Sequence, residues 1–203
     1  MDVRGGSGLV DATNMFKGIY AETIDVSKLD TSNVKIMNNM FKNCSLTTLD
    51  LSGLDTSNVV SMQSMFEYCR VSEAINLNGF CTEKVVNMKK MFQYCRSQLL
   101  DLSSFNTKKV TDMANMFDAA GIEVLNLTSF TTPALKDMRE MFCRAKCGVI
   151  DLSTFDTSNV IDIERIFFRC SAKSINMSSF NVSKIAFKRE MLLGCTAKVI
   201  KNF

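Results

Sequence analysis

A segment of about 25 residues returns along the whole chain, and that repetition leaves few architectures open. The stretch from Thr48 to Val59, with its Leu49-Asp50-Leu51-Ser52 and Asp55-Thr56-Ser57-Asn58 elements, reappears from Leu99 to Val110 and from Val149 to Val160. Each copy runs on into Met-x-x-Met-Phe-x-x-Cys, as in Met62, Met65, Phe66 and Cys69. Copies start near Thr23, Thr48, Ala74, Leu99, Val124, Val149 and Ser174, and the Thr48 copy carries one extra residue around Val71-Ser72-Glu73. Residues 9–16 are a second half without a first, and 199–203 a first half without a second. The expected organisation is a single solenoid domain over 1–203, with a half-repeat cap over 1–22, seven repeats over 23–198 and an edge strand over 199–203.

The hydrophobic period changes inside each copy. Leu49 and Leu51 alternate with Asp50 and Ser52, which is the pattern of a short strand. Val59, Met62, Met65, Phe66 and Cys69 then fall at i, i+3, i+6, i+7 and i+10, which predicts a short helix, with Asp-Thr-Ser-Asn supplying its cap. The predicted fold is an α/β repeat solenoid of leucine-rich-repeat type. One parallel sheet of short strands, about 4.8 Å apart, would face one side and short helices the other.

Composition narrows function. The chain has no His, which removes the commonest general base and metal ligand, and a net charge of only +3. That balance gives no electrostatic reason to expect nucleic acid. No apolar run is long enough to span a bilayer, and the opening Met1-Asp2-Val3-Arg4 lacks the apolar core of a signal peptide. The expectation is a cytoplasmic protein as the chain stands, or a surface or secreted one if its N-terminus has been trimmed.

The motif Leu-Asp-Leu-Ser-x-Phe-Asp-Thr-Ser-Asn-Val-x-x-Met-x-x-Met-Phe-x-x-Cys closely resembles the repeat of the BspA-like leucine-rich-repeat surface proteins of mycoplasmas and Gram-positive bacteria. The likeness spans roughly residues 9–203. It implies a solenoid whose usual task is adhesion or protein recognition, with no catalytic residues to carry over.

Repetition turns each motif position into a ladder. One outward row reads Asp25, Asp50, Asn76, Asp101, Asn126, Asp151, Asn176. It reads first as a structural ladder of side chains bonded to one another and to turns, and second as a rim for a basic partner. The Thr row (Thr31, Thr56, Thr82, Thr107, Thr132, Thr157) reads as turn and cap chemistry rather than an ice- or glycan-binding face. Cys44, Cys69, Cys95, Cys170 and Cys195 share a position that Ala120 and Ala145 also fill, so free, buried thiols are expected. Cys143 and Cys147, with no second pair, make a weak zinc motif, and no metal or other cofactor is expected. The Met-Phe stripe reads as core, and Lys84, Lys89, Lys90, Lys108 and Lys109 as a solvated face.

Departures from the repeat's own consensus carry the functional signal, because packing alone does not demand them. Leu99, Val124 and Val149 stand where other copies have Thr23, Thr48, Ala74 and Ser174. Phe168 and Leu193 stand where others have Lys42, Glu67, Gln93 and Asp118, and Tyr68 and Tyr94 fall one repeat apart. The leading expectation is a non-enzymatic module that binds a protein partner through its sheet face and rung edges. Asp50, Asp101, Asp151, Leu99, Val124 and Val149 would lie on the sheet side, and Tyr68, Tyr94, Phe168 and Leu193 on the helix side. The competing expectation is a structural or self-assembling protein joined through its ends or apolar patches, a homodimer through the C-terminal edge being one such form. No nucleic acid, no membrane insertion and no enzymatic activity are expected.

Overall fold

The computed structural model describes residues 8–201, so the first part of the expected cap and the last two residues of the expected edge strand lie outside the described residues. Successive repeats stack as turns of a parallel β-solenoid. The strands are β1 (Ser45–Leu46), β2 (Leu49–Asp50), β3 (Arg70–Val71), β4 (Ile75–Asn76), β5 (Arg96–Asp101), β6 (Gly121–Asn126), β7 (Val149–Asp151), β8 (Ser174–Met177) and β9 (Lys198–Lys201). They group in parallel as β1-β3-β5-β6, β2-β4 and β7-β8-β9. A second column of single parallel bridges runs from Asp11 through Ile36, Ser61, Asn87, Asp112, Asp137 and Asp162 to Phe187.

The expected helices are absent among the described residues: the Met-x-x-Met-Phe-x-x-Cys segment is a string of tight turns. Its backbone bonding explains why. In the Met62–Cys69 segment the amides of Met62, Ser64, Phe66 and Tyr68 donate to the carbonyls of Asn87, Lys89, Met91 and Gln93 in the next turn of the solenoid. The amides between them, of Met65, Glu67 and Cys69, donate back to Met62, Ser64 and Phe66. Four donors thus point along the solenoid axis, three close four-residue turns and that of Gln63 meets Asn38 Oδ1, so the segment's amides are satisfied without a helix. Two residues per segment, four apart, adopt positive φ: Asn39 and Asn43, Ser64 and Tyr68, Lys90 and Tyr94, and so on to Glu190 and Gly194. A left-handed residue every four positions interrupts any α-helical run. Three successive turns around a core also place apolar side chains at i, i+3, i+6 and i+7, so the stripe was compatible with either structure.

This geometry reverses the effect of glycine. Lys90, at φ 58°, occupies one of these left-handed positions. In a helix interior Lys90→Gly would cost about 1 kcal/mol. Here, release of left-handed strain outweighs the added freedom of the unfolded chain, and the variant is expected to gain about 0.5 kcal/mol. The urea midpoint checks the sign: a lower midpoint for Lys90→Gly would contradict the turn assignment.

Inside the coil, Phe16, Phe41, Phe66, Phe92, Phe117, Phe142 and Phe167 form one stack with centroids 5.2–5.8 Å apart. Phe80, Phe105, Phe130 and Phe155 form a second stack at 5.7–6.5 Å. From Met37 to Met141 the methionines of the Met-Phe segments are buried in the same core cluster as the first stack, while Met15 and Met191 at the ends are half-buried. The Thr row is buried as well. Thr56, Thr82, Thr107, Thr132 and Thr157 each donate through Oγ1 to a carbonyl one turn further on (Cys81, Asn106, Thr131, Asp156 and Asn181), so these hydroxyls tie turns together and cap no helix. The last described turn is less covered: Met191, Leu192, Cys195 and Val199 are half-buried, and Phe187, Leu193 and Ile200 are exposed.

Candidate recognition surface

The strand side is built from a local irregularity. In β5 the burial alternates until Gln98 and Leu99, which are both exposed, and Glu123 and Val124 repeat this in β6. Two outward residues in a row mark a corner of the coil. Leu99, Val124 and Val149 occupy that convex edge, 43%, 55% and 54% exposed, and Leu99 and Val124 are direct register partners. The structure therefore brings the three apolar departures into one ridge.

The Asp/Asn row flanks the ridge and is bound into the scaffold. Asp50 Oδ1 accepts from the Ser52 amide at 3.0 Å and from Asn76 Nδ2 at 2.9 Å. Asp101 accepts likewise from Ser103 and Asn126, and Asp151 from the Ser153 amide. The Ser52 amide and hydroxyl, joined by Asn76, hold the Asp50 carboxyl below its usual range. Strands pair across each Asp-to-Asn step: Asp50 with Asn76, Asp101 with Asn126, and Asp151 with Asn176. Across the return steps each asparagine has turned its amide back toward the preceding Asp, or its oxygen toward its own turn, as Asn126 Oδ1 does for the Thr128 amide. The sheet parts between β6 and β7. A cleft of about 170 Å³ opens there, lined by Leu125, Asn126, Val149 and Asp151. Leu125 is in consequence only half-buried, while Leu100 and Ile150 in the same column are wholly buried.

Tyr68, Tyr94, Phe168 and Leu193 lie on the turn segment, not on a helix. Tyr68 and Tyr94 stack at 4.5 Å with rings within 4° of parallel, and the Arg144 guanidinium sits 5.6 Å from the Tyr94 centroid. Phe168 carries the guanidinium groups of Arg165 and Arg169 at 5.5 and 5.1 Å. Leu193 is exposed in the last turn. These four belong to a different stretch of each turn from the ridge, and the structure does not gather them into one patch with it.

Two arrangements escaped the sequence reading, one joining neighbouring columns and one running down a single column. Asp118, 1% exposed, accepts from Arg144 through Nε and Nη2 at 2.9–3.2 Å and from Gln93 Nε2 at 2.8 Å. Ala119 lies in the column between Tyr94 and Arg144, so Arg144 reaches past a small side chain both to Asp118 and over the Tyr94 ring. Lys42 and Glu67 form a similar pair at 2.7 Å. Removing Arg144 strands the Asp118 carboxylate. Because the arginine is about half-exposed, Arg144→Ala is expected to cost about 3 kcal/mol, the low end for a broken buried pair. Adding Asp118→Asn should recover most of that loss in urea titrations, and no recovery would show that the pair is not the cause. The second arrangement is a basic corner, read from the column after Cys: Ser45, Arg70, Arg96, Gly121, Lys146, Ser171.

All eight cysteines are free thiols, and Cys44, Cys69, Cys95, Cys143, Cys147 and Cys170 are buried. Cys195 is only half-buried, since it belongs to the less covered last turn. Among the described residues no His, Cys, Asp or Glu group is arranged to hold a metal ion, and no helix is long and apolar enough to cross a membrane.

Coil, ladders and ridge together define a repeat protein of the parallel β-solenoid class. The profile of the family described as "Mycoplasma protein of unknown function, DUF285" matches residues 10–122 and 118–201, and the chain belongs to that family. Neither the curated proteins nor the solved structures contain a match to it.

Proposed function

We propose that this chain is a non-enzymatic recognition module that binds a protein partner through its strand-side corner, in the manner of the BspA-like adhesins its repeat resembles. The observation that carries this reading is the ridge of Leu99, Val124 and Val149. It consists of aliphatic side chains held outward at a convex edge where the fold needs no bulk, as Ala74 and Ser174 in the same column show. An apolar centre with polar flanks is the usual anatomy of a recognition site. Asp50, Asp101 and Asp151 supply one flank while serving the turns, so they are poor positions for a clean test.

Val124→Glu combined with Val149→Glu is the better probe. A partner captured by the wild type from host lysate should be lost, with melting temperature and circular dichroism nearly unchanged, because both residues are more than half exposed. Equal capture by the double variant would move the site to Tyr68 and Tyr94. A second reading, self-association through the last turn, is favoured by the exposure of Phe187, Leu193 and Ile200 together. Light scattering at increasing concentration separates the two, since only assembly produces a concentration-dependent mass.

A further inference from the structure

Beside the ridge lies a groove of about 550 Å³, lined by Ser72, Arg96, Gly121, Glu123, Lys146 and Lys173 among others. Five cations elsewhere on the coil are held by side-chain partners. Lys42, Arg144 and Arg165 pair with Glu67, Asp118 and Glu190, and Lys84 and Lys184 donate to Asn58 and Asn159. Among the described residues the side chains of Arg70, Arg96, Lys146 and Lys173 have no hydrogen bond or ion pair. Arg70 and Arg96 are also direct partners across β3 and β5, a juxtaposition of like charge that costs stability. Glu123 is the one opposing charge in the lining.

The two glycines of the groove have different reasons for being there. A Cβ on Gly148 would sit 2.6 Å from the Glu123 carbonyl oxygen, so packing requires glycine at that position. A Cβ on Gly121 would meet only Arg96 Cγ at 3.6 Å, an ordinary contact, and the other turns carry Tyr, Ser, Arg, Lys or Thr in that column. Packing therefore admits a side chain at 121, and its omission opens the notch between Arg96 and Lys146.

We propose that this groove takes an acidic, extended peptide segment of a protein partner, carboxylates on Arg96, Lys146 and Lys173, with its apolar residues against Leu99, Val124 and Val149. The inference rests on the recognition reading above and names the chemistry of its partner. Arg96 and Lys146 are two turns apart, about 9.6 Å at the strand spacing, close to the ~9.3 Å between residues three apart in a polyproline II segment. A nucleic-acid strand fits less well, because Glu123 would face its continuous row of phosphates and the lining holds no aromatic ring on which bases stack.

The test uses the full chain, ¹⁵N-labelled, and a fluorescein-labelled dodecapeptide with Glu at every third position and Leu and Ser between. Glu-peptide binding should weaken about tenfold or more with Arg96→Glu/Lys146→Glu, and comparably with Gly121→Gln, which fills the notch without changing charge. It should also weaken with added salt, shift the Gly121 and Gly148 amides, and be lost when Gln replaces Glu in the peptide. Lys108→Glu/Lys109→Glu, equal in charge change but outside the groove, should bind as wild type. No binding of the Glu peptide at millimolar concentration, equal binding of the Gln peptide, or unchanged binding by folded Gly121→Gln would each overturn the proposal. So would inorganic phosphate shifting the same amides as strongly as the peptide, since the groove would then be a small-anion site. If Val124→Glu/Val149→Glu still abolishes partner capture while the groove variants do not, the groove falls and the recognition reading stands.

Discussion

Phe92→Ala should be among the most destabilising single substitutions in this chain, at about 3–5 kcal/mol. Phe92 is fully buried and stacks on Phe66 at 5.2 Å and Phe117 at 5.5 Å. Its removal takes away buried area and leaves a void that neighbours held by axial hydrogen bonds cannot close. A solenoid turn touches only the turns before and after it, so a defect at mid-coil also weakens the coupling between two halves. The expected denaturation curve is broadened, with separate transitions for the two sides. Phe187→Ala is the control: at 57% exposure that ring has little to lose, and its cost should stay under about 0.5 kcal/mol. Equal costs for the two variants would mean that the Phe stack is not the core.

The buried thiols predict alkaline unfolding under reducing conditions. Burial pushes Cys95, Cys143 and Cys170 up to about 12 and Cys147 up to about 11, from an ordinary value of 9.0, and the nearby Asp118 carboxylate adds to the effect at Cys143. Burial pushes Cys69 up as well. These groups have folded pKa values above their unfolded ones, so the unfolded chain loses its thiol protons first as pH rises. Their contribution is fully present below pH 9 and is lost between pH 9 and about 12. Each thiol withdraws roughly 1.4 kcal/mol per pH unit in that window, and several acting together exceed a typical domain stability of about 5–15 kcal/mol before the window closes. Unfolding is expected between about pH 10 and 11. Cys95→Ala with Cys170→Ala should move the midpoint upward by about half a unit, because alanine already fills that column at Ala120 and Ala145. A midpoint unmoved by the pair would assign the transition to other groups.

Much of this molecule could be read from the chain itself. The 25-residue period set the stacking, and the alternation at Leu49-Asp50-Leu51-Ser52 set which side of the strand faces inward. The Ala-for-Cys exchanges marked a small buried column, and the departures at Leu99, Val124 and Val149 marked the ridge. All of these are properties of one position compared with its own repeats, and a period makes such comparisons unambiguous. The Met-Phe segment was different. Its apolar spacing satisfies both a helix and a chain of turns, and residues tolerant of positive φ, such as Asn39 and Asn43, occupy the diagnostic positions in only some copies. What decides between the two is where the alternate amides go. They go to the next turn of the solenoid, as Met62 does to Asn87, and those acceptors exist only once the turns have stacked. Tertiary structure alone likewise decided the parting of the sheet between β6 and β7 and the basic groove beside the ridge. Both depend on how side chains from successive turns face one another across a gap, which the order of residues along one turn does not specify.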